Sequence, residues 1–169
     1  IEKRIFGYDD EVFEAVIGEL LQQQGLTLST AESCTGGYVA HRISTVPGCS
    51  AYFQGSAVTY ANEIKQRVLG VKEGTLVANG AVSEPVVKEM LIGACERFQT
   101  DVAIATSGIA GPGGGSKDKP VGTVWLAVGK PDNIQTKRIS LPFGRVQNIR
   151  ITAIIALEML RKYLKYSIG

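Results

Sequence analysis

The chain has 169 residues, the length of one ordinary domain, with 44% hydrophobic and 20% charged residues, enough for a core and for a solvated surface. A net charge of +2 is too small to imply nucleic acid, and no stretch approaches the roughly 20 consecutive apolar residues of a membrane span. Three cysteines without CxxC spacing and a single histidine, His41, indicate neither a disulfide framework nor a zinc cluster, so no metal and no cofactor are expected.

In chain order, Asp9 and Asp10 can cap a helix over residues 11–24, whose apolar face carries Val12, Phe13, Val16, Ile17, Leu20 and Leu21, and Gly25 stands where glycine favours a helix end. Residues 26–31 alternate as a short strand, and 35–44 read as a helix closed by Pro47-Gly48. A strand over 52–60 is followed by Asn62 as a cap and a helix to Leu69, then by turns at Gly70 and Gly74. Ser83 opens a helix to Phe98, with Glu84 and Pro85 in its first turn. Residues 102–106 form a continuous apolar strand of the kind buried on both faces. Strands over 122–128 and 134–141, joined by Lys130-Pro131-Asp132-Asn133, form an antiparallel hairpin, and 145–163 is the last amphipathic helix. The alternation predicts an α/β fold, a three-layer α/β/α sandwich on a mixed, mostly parallel sheet.

In such a sheet ligands bind beyond the C-terminal ends of the strands, and three loops lie there. In Ala31-Glu32-Ser33-Cys34-Thr35-Gly36-Gly37, Ser33 sits near a helix N-terminus, where free N–H groups suit an alkoxide and an oxyanion. Spacing alone favours a plainer reading, in which Ser33 or Thr35 caps the helix, and Cys34 is a rival nucleophile or a buried thiol. In the stretch from Thr59 to Lys65, Tyr60 ends a strand and Lys65 falls early in a helix, where the dipole opposes its charge and depresses its pKa. A neutral lysine is the base that a Ser–Lys pair requires; otherwise it is a surface lysine.

The third loop, Thr106 to Pro120, has five glycines among residues 108–115, which free backbone N–H groups to face an anion. It is neither a GxxxxGK[ST] loop nor a GxGxxG turn before a helix, so a single phosphate is the better expectation, beside a flexible surface loop. Arg145, at the start of the last helix, can grip a phosphate, with Arg150 as its rival. His41 reads as solvated and Trp125 as core.

Together these segments, with Gly80-Ala81-Val82-Ser83-Glu84-Pro85-Val86-Val87 and Lys119-Pro120-Val121-Gly122-Thr123-Val124-Trp125, resemble the CinA C-terminal domain, the PncC-type nicotinamide-nucleotide amidase family. Five motifs in the same order span most of the chain. The resemblance implies a three-layer sandwich, usually dimeric, that hydrolyses nicotinamide mononucleotide to nicotinic acid mononucleotide and ammonia. It implies Ser33 as nucleophile, with Lys65 and Tyr60 as its catalytic partners. Substrate-binding positions would be Thr35, Gly36, Gly37, Thr106, Ser107, Gly108, Gly111, Gly113 and Arg145. Residues 1–9 would be a linker from an N-terminal molybdopterin-binding-like domain, and 10–169 the amidase domain. The expected partner is a small pyridine nucleotide; the protein would be a cytoplasmic homodimer engaging neither nucleic acid nor membrane. Leu141-Pro142-Phe143-Gly144-Arg145 is shorter than the commoner family version of this segment. The other readings are a nucleotide-binding or partner-docking domain without turnover, and a cysteine amidase using Cys34.

Overall fold

A computed structural model describes residues 13–167. The chain runs α1 (Phe13–Gln23), β1 (Leu28–Glu32), α2 (Tyr38–Ser44), a 3-10 turn (Cys49–Ala51), β2 (Phe53–Val58), α3 (Asn62–Leu69), α4 (Glu73–Asn79), α5 (Glu84–Phe98), β3 (Val102–Gly108), β4 (Thr123–Lys130), β5 (Asn133–Ser140) and α6 (Arg145–Tyr166). The expected caps Asp9 and Asp10, and the linker over 1–9, lie outside the described residues.

The strands form one mixed sheet in the order β2-β1-β3-β4-β5. β1 pairs in parallel with β2 and β3, while β4 is antiparallel to β3 and β5, so four of the five strands point one way. The sheet is dressed on both faces, which makes the three-layer sandwich. Side-chain size differs between the faces. Leu28, Val102, Ile104, Val124, Leu126 and Val128 point to the face covered by α1, α2 and α6. The alternate positions Ala31, Ala57, Ala103, Ala105 and Ala127 point to the side of α3, α4 and α5. Small residues there let α5 lie close to the sheet, and its Val86, Val87, Met90 and Leu91 fill the layer. Gly93 permits a second close approach: a Cβ there would fall 1.8 Å from the carbonyl oxygen of Leu69, so α5 crosses the end of α3 in backbone contact.

Several local expectations shift. Asn62 is the first residue of α3, and the extended Ala61 occupies the cap position. Gly74 lies inside α4 rather than in a turn, because Leu76 and the packing of α4 on α5 outweigh the low helix propensity of glycine. Ser83 sits at the cap of α5, but its hydroxyl donates back to Gly80 O, at 2.8 Å. The 130–133 connection is a hairpin, with Lys130 and Asn133 paired. The parallel register sets Glu32 level with Val58 of β2 and Thr106 of β3. The loops after three adjacent strands therefore open at one end of the sheet.

Candidate active site

β1 ends at Glu32, and the chain then turns through Ser33 to Gly37 before α2 begins at Tyr38. Gly36 and Gly37 adopt φ of 60° and 95°, a left-handed turn that residues with a Cβ rarely make. That turn delays α2 by three residues relative to the sequence expectation. Neither Ser33 nor Thr35 caps the helix. The carboxylate of Glu32 does, accepting N–H bonds from Gly37 (3.0 Å), Val39 (3.0 Å) and Ala40 (2.8 Å). Ser33 is thereby free of capping duty and is only 8% exposed.

Lys65, in the first half of α3, reaches back under the β2 loop and is 1% exposed. Its Nζ lies 3.2 Å from Ser33 Oγ, 2.9 Å from Thr59 O and 3.1 Å from Tyr60 O. A neutral amine has two N–H bonds and one lone pair. The two carbonyls take the N–H bonds, which leaves the lone pair facing the serine hydroxyl. None of these partners is a carboxylate, so nothing repays the cost of burying a full charge, and burial holds the Lys65 pKa below its ordinary range. The direction is the one expected from sequence, but the leading cause is desolvation rather than the helix dipole. The arrangement is a buried Ser–Lys dyad.

The remaining N–H groups of the turn divide into bonded and free ones. Gly36 N–H donates to Ser33 O at 3.1 Å. Among the described residues, those of Cys34 and Thr35 donate to no other residue's oxygen and stay beside Ser33. Cys34 itself is buried, and burial pushes its thiol up to about 12, which leaves a neutral group unsuited to nucleophilic attack.

Thr35 and Thr106 are 2% and 0% exposed, and their hydroxyls lie 2.7 Å apart. Ser107 is also buried and donates to Ala81 O at 2.7 Å. Gly108 ends β3 against Val124, and Gly113 is exposed on the glycine loop. Lys119 closes the far end of that loop by donating to Asn79 O at 2.7 Å, at the C-terminus of α4.

The rim is built differently. Tyr60 is 57% exposed, and its hydroxyl accepts an N–H from Arg145 at 2.5 Å. Arg145 also donates to Gly111 O at 2.8 Å. Three residues on, Asn148 is buried and donates to Ala110 O (3.1 Å) and Phe143 O (2.9 Å). The first turn of α6 thus fastens the β3 loop, and Arg145 links it to the β2 loop. Arg150 is exposed on the same helix without a hydrogen bond to either loop. His41 is exposed and stacks on Tyr38, with ring centroids 6.0 Å apart, and Trp125 packs against the Ala-lined core.

Sequence reasoning named Ser33 and Lys65 and missed Glu32. The available signal was a charged residue at the end of a buried strand, which must find several donors.

The chain is thus a three-layer α/β/α sandwich that brings a serine and a buried lysine together at the C-terminal ends of its parallel strands. The chain belongs to the CinA family: the CinA C-terminal domain model matches residues 10–164. A CinA-like protein of Cytophaga hutchinsonii is 44% identical over 98% of this chain and 40% of its own length. Crystal structures of relatives share the fold. The competence damage-inducible protein A of Klebsiella pneumoniae is 36% identical, with a TM-score of 0.88 over 91% of this chain and 96% of its own. The competence/damage inducible protein CihA of Agrobacterium tumefaciens is 38% identical, with a TM-score of 0.84 over 95% and 99%. The chain spans about 40% of the length of the curated relatives it matches.

Proposed function

We propose that this domain is an amidohydrolase that converts nicotinamide mononucleotide to nicotinic acid mononucleotide and ammonia. The observation that carries the reading is the buried Lys65 Nζ 3.2 Å from Ser33 Oγ, with its two carbonyl partners. The substrate comes from the sequence resemblance to PncC-type amidases, and the exposed cation Arg145 beside the glycine loop suits a 5′-phosphate.

Lys65, neutral, takes the Ser33 proton, and Oγ attacks the carboxamide carbon. The N–H groups of Cys34 and Thr35 receive the developing oxyanion. Lys65 returns the proton to the leaving nitrogen, ammonia departs, and an acyl ester remains on Ser33. Water, deprotonated by Lys65, attacks the ester and restores the serine. Tyr60 works at the mouth with Arg145, since Lys65 reaches the serine directly.

The test is ammonia release from nicotinamide mononucleotide by wild type and Ser33→Ala. Release by wild type, with the variant at background, is expected. Equal release by both would remove Ser33 as nucleophile, and release by neither would leave a nucleotide-binding domain.

A further inference from the structure

Glu32 immediately precedes the nucleophile and is 0% exposed. Both of its carboxylate oxygens are committed. Oε2 accepts from Thr35 Oγ1 at 2.6 Å and from the N–H groups of Gly37 and Val39 at 3.0 Å, while Oε1 accepts from Ala40 N–H at 2.8 Å. The Thr30 hydroxyl adds a long contact to Oε1, at 3.4 Å. The backbone on either side is equally fixed: Glu32 O accepts Thr59 N–H at 2.8 Å, and Ser33 N–H donates to Thr106 O at 3.0 Å.

The hydroxyls have a determined order. A carboxylate only accepts, so Thr35 spends its single proton on Glu32. Thr106 must then donate to Thr35 across their 2.7 Å contact. A one-way chain runs from Thr106 on β3, through Thr35 in the turn, to Glu32 on β1. With the backbone bonds to Thr59, just past β2, and to Thr106 on β3, it holds the Ser33 turn against neighbouring chain segments and α2. The same carboxylate consumes the N–H groups at the start of α2, which keeps that helix end from serving the oxyanion.

We propose that Glu32 is a positioning residue for Ser33, acting through the Thr35–Thr106 hydroxyl chain to hold Oγ on the Lys65 lone pair. The inference rests on the serine-hydrolase reading of the site. A glutamine at position 32 cannot replace the carboxylate, because its NH2 group would oppose either Ala40 N–H or those of Gly37 and Val39. A valine at position 35 keeps the shape and all three N–H bonds to Glu32, and removes only the bridging hydroxyl. If Glu32 were only a helix cap, Thr35→Val would leave turnover alone.

The experiment measures kcat and KM for ammonia release from nicotinamide mononucleotide with the full chain, comparing wild type, Glu32→Gln, Thr35→Val and Thr35→Ser. It also measures the rate at which a fluorophosphonate probe labels Ser33, read by intact mass, which needs no natural substrate. Circular dichroism confirms that each variant is folded. Misplacing a reacting group by about 1 Å costs on the order of a hundredfold. Glu32→Gln and Thr35→Val are therefore expected to lower both kcat and the labelling rate roughly tenfold to a hundredfold, with KM within about a factor of two, and Thr35→Ser to regain most of that loss. If Glu32→Gln does not fold, Thr35→Val decides. Unchanged kcat and labelling in Thr35→Val overturn the proposal, as does a loss confined to KM, which would make Thr35 a substrate contact. Labelling of wild type without ammonia release would refute the amidase reading, while the labelling rates of the variants still judge Glu32. Wild type that shows neither labelling nor ammonia release would overturn both.

Discussion

One loop contributes to both halves of the site, and the halves differ in kind. Thr59 to Lys65 sends Lys65 inward, where Nζ has three oxygen partners and almost no contact with water, and sends Tyr60 outward to the rim. The interior pair, Ser33 and Lys65, is fixed by backbone carbonyls and by the carboxylate-held turn. The rim pair, Tyr60 and Arg145, is exposed and joined by one side-chain bond. The Thr59 carbonyl belongs to a residue whose N–H is bonded to Glu32 O at the end of β1, so the acceptors around Nζ are held in place, as proton transfer on the proposed reading requires. An exposed arginine with two partners has further N–H donors and can exchange water for a ligand anion. On the proposed reading chemistry belongs to the inner pair and substrate capture to the outer one, and four substitutions sharpen or break that division.

The largest effect is expected from Lys65→Met. Losing a general base should lower kcat roughly a hundredfold to ten-thousandfold. In wild type, kcat/KM should rise with pH as Lys65 loses its proton, below the ordinary lysine value of 10.5. Stability carries the same signature. Because the folded-state pKa is lowered, the unfolded chain binds more protons between that value and 10.5, so wild-type stability rises with pH across this window and levels off above it. Lys65→Met lacks this contribution. The urea-unfolding difference between the two proteins should therefore shift in favour of wild type as pH rises from 6 towards 10. A pH-independent difference would mean that Lys65 titrates normally and is not the base.

Arg145→Met should act on KM. A hydrogen bond to a charged group contributes about 1.5–3 kcal/mol, so KM should rise roughly tenfold to a hundredfold with kcat nearly unchanged. Tyr60→Phe should raise KM less. The double variant should be little worse than Arg145→Met alone, because the phenol acts beside its guanidinium partner. A steep fall of kcat in Tyr60→Phe would put the phenol in the proton path and erase the boundary between interior and rim.

The same boundary separates what the amino-acid order displays from what it conceals. Strand and helix periods, and the rule that ligands gather beyond parallel strand ends, placed Ser33 and Lys65 in neighbouring loops. The β1–β2 register then brings them together across 32 positions of sequence. The hairpin and the buried β3 were equally legible. Glu32 was not, because a carboxylate at a strand end acquires its meaning only from the turn that folds over it. The Tyr60–Arg145 contact spans 85 positions and depends on how α6 docks, which no local pattern carries. The α4 helix escaped because Gly74 opposes it locally and only packing on α5 sustains it.

The smallest expected effect tests the interior by a neighbour that touches the dyad without belonging to it. Cys34 follows the nucleophile, and a thiol would be the stronger nucleophile were it ionised. With its pKa pushed up to about 12 by burial, Cys34 is a neutral thiol at pH 8. Iodoacetamide at that pH should therefore modify the half-buried Cys49 first and leave ammonia release intact. Cys34→Ala should keep kcat within about threefold, since the turn offers the substrate the N–H of residue 34 rather than its sulfur. Its cost should fall on stability instead, about 1 kcal/mol for a buried sulfur removed from the core, read as a lower unfolding midpoint. Ammonia release abolished by Cys34→Ala, or by alkylation confined to Cys34, would transfer the nucleophile to sulfur and leave the buried Ser33–Lys65 contact without a catalytic purpose.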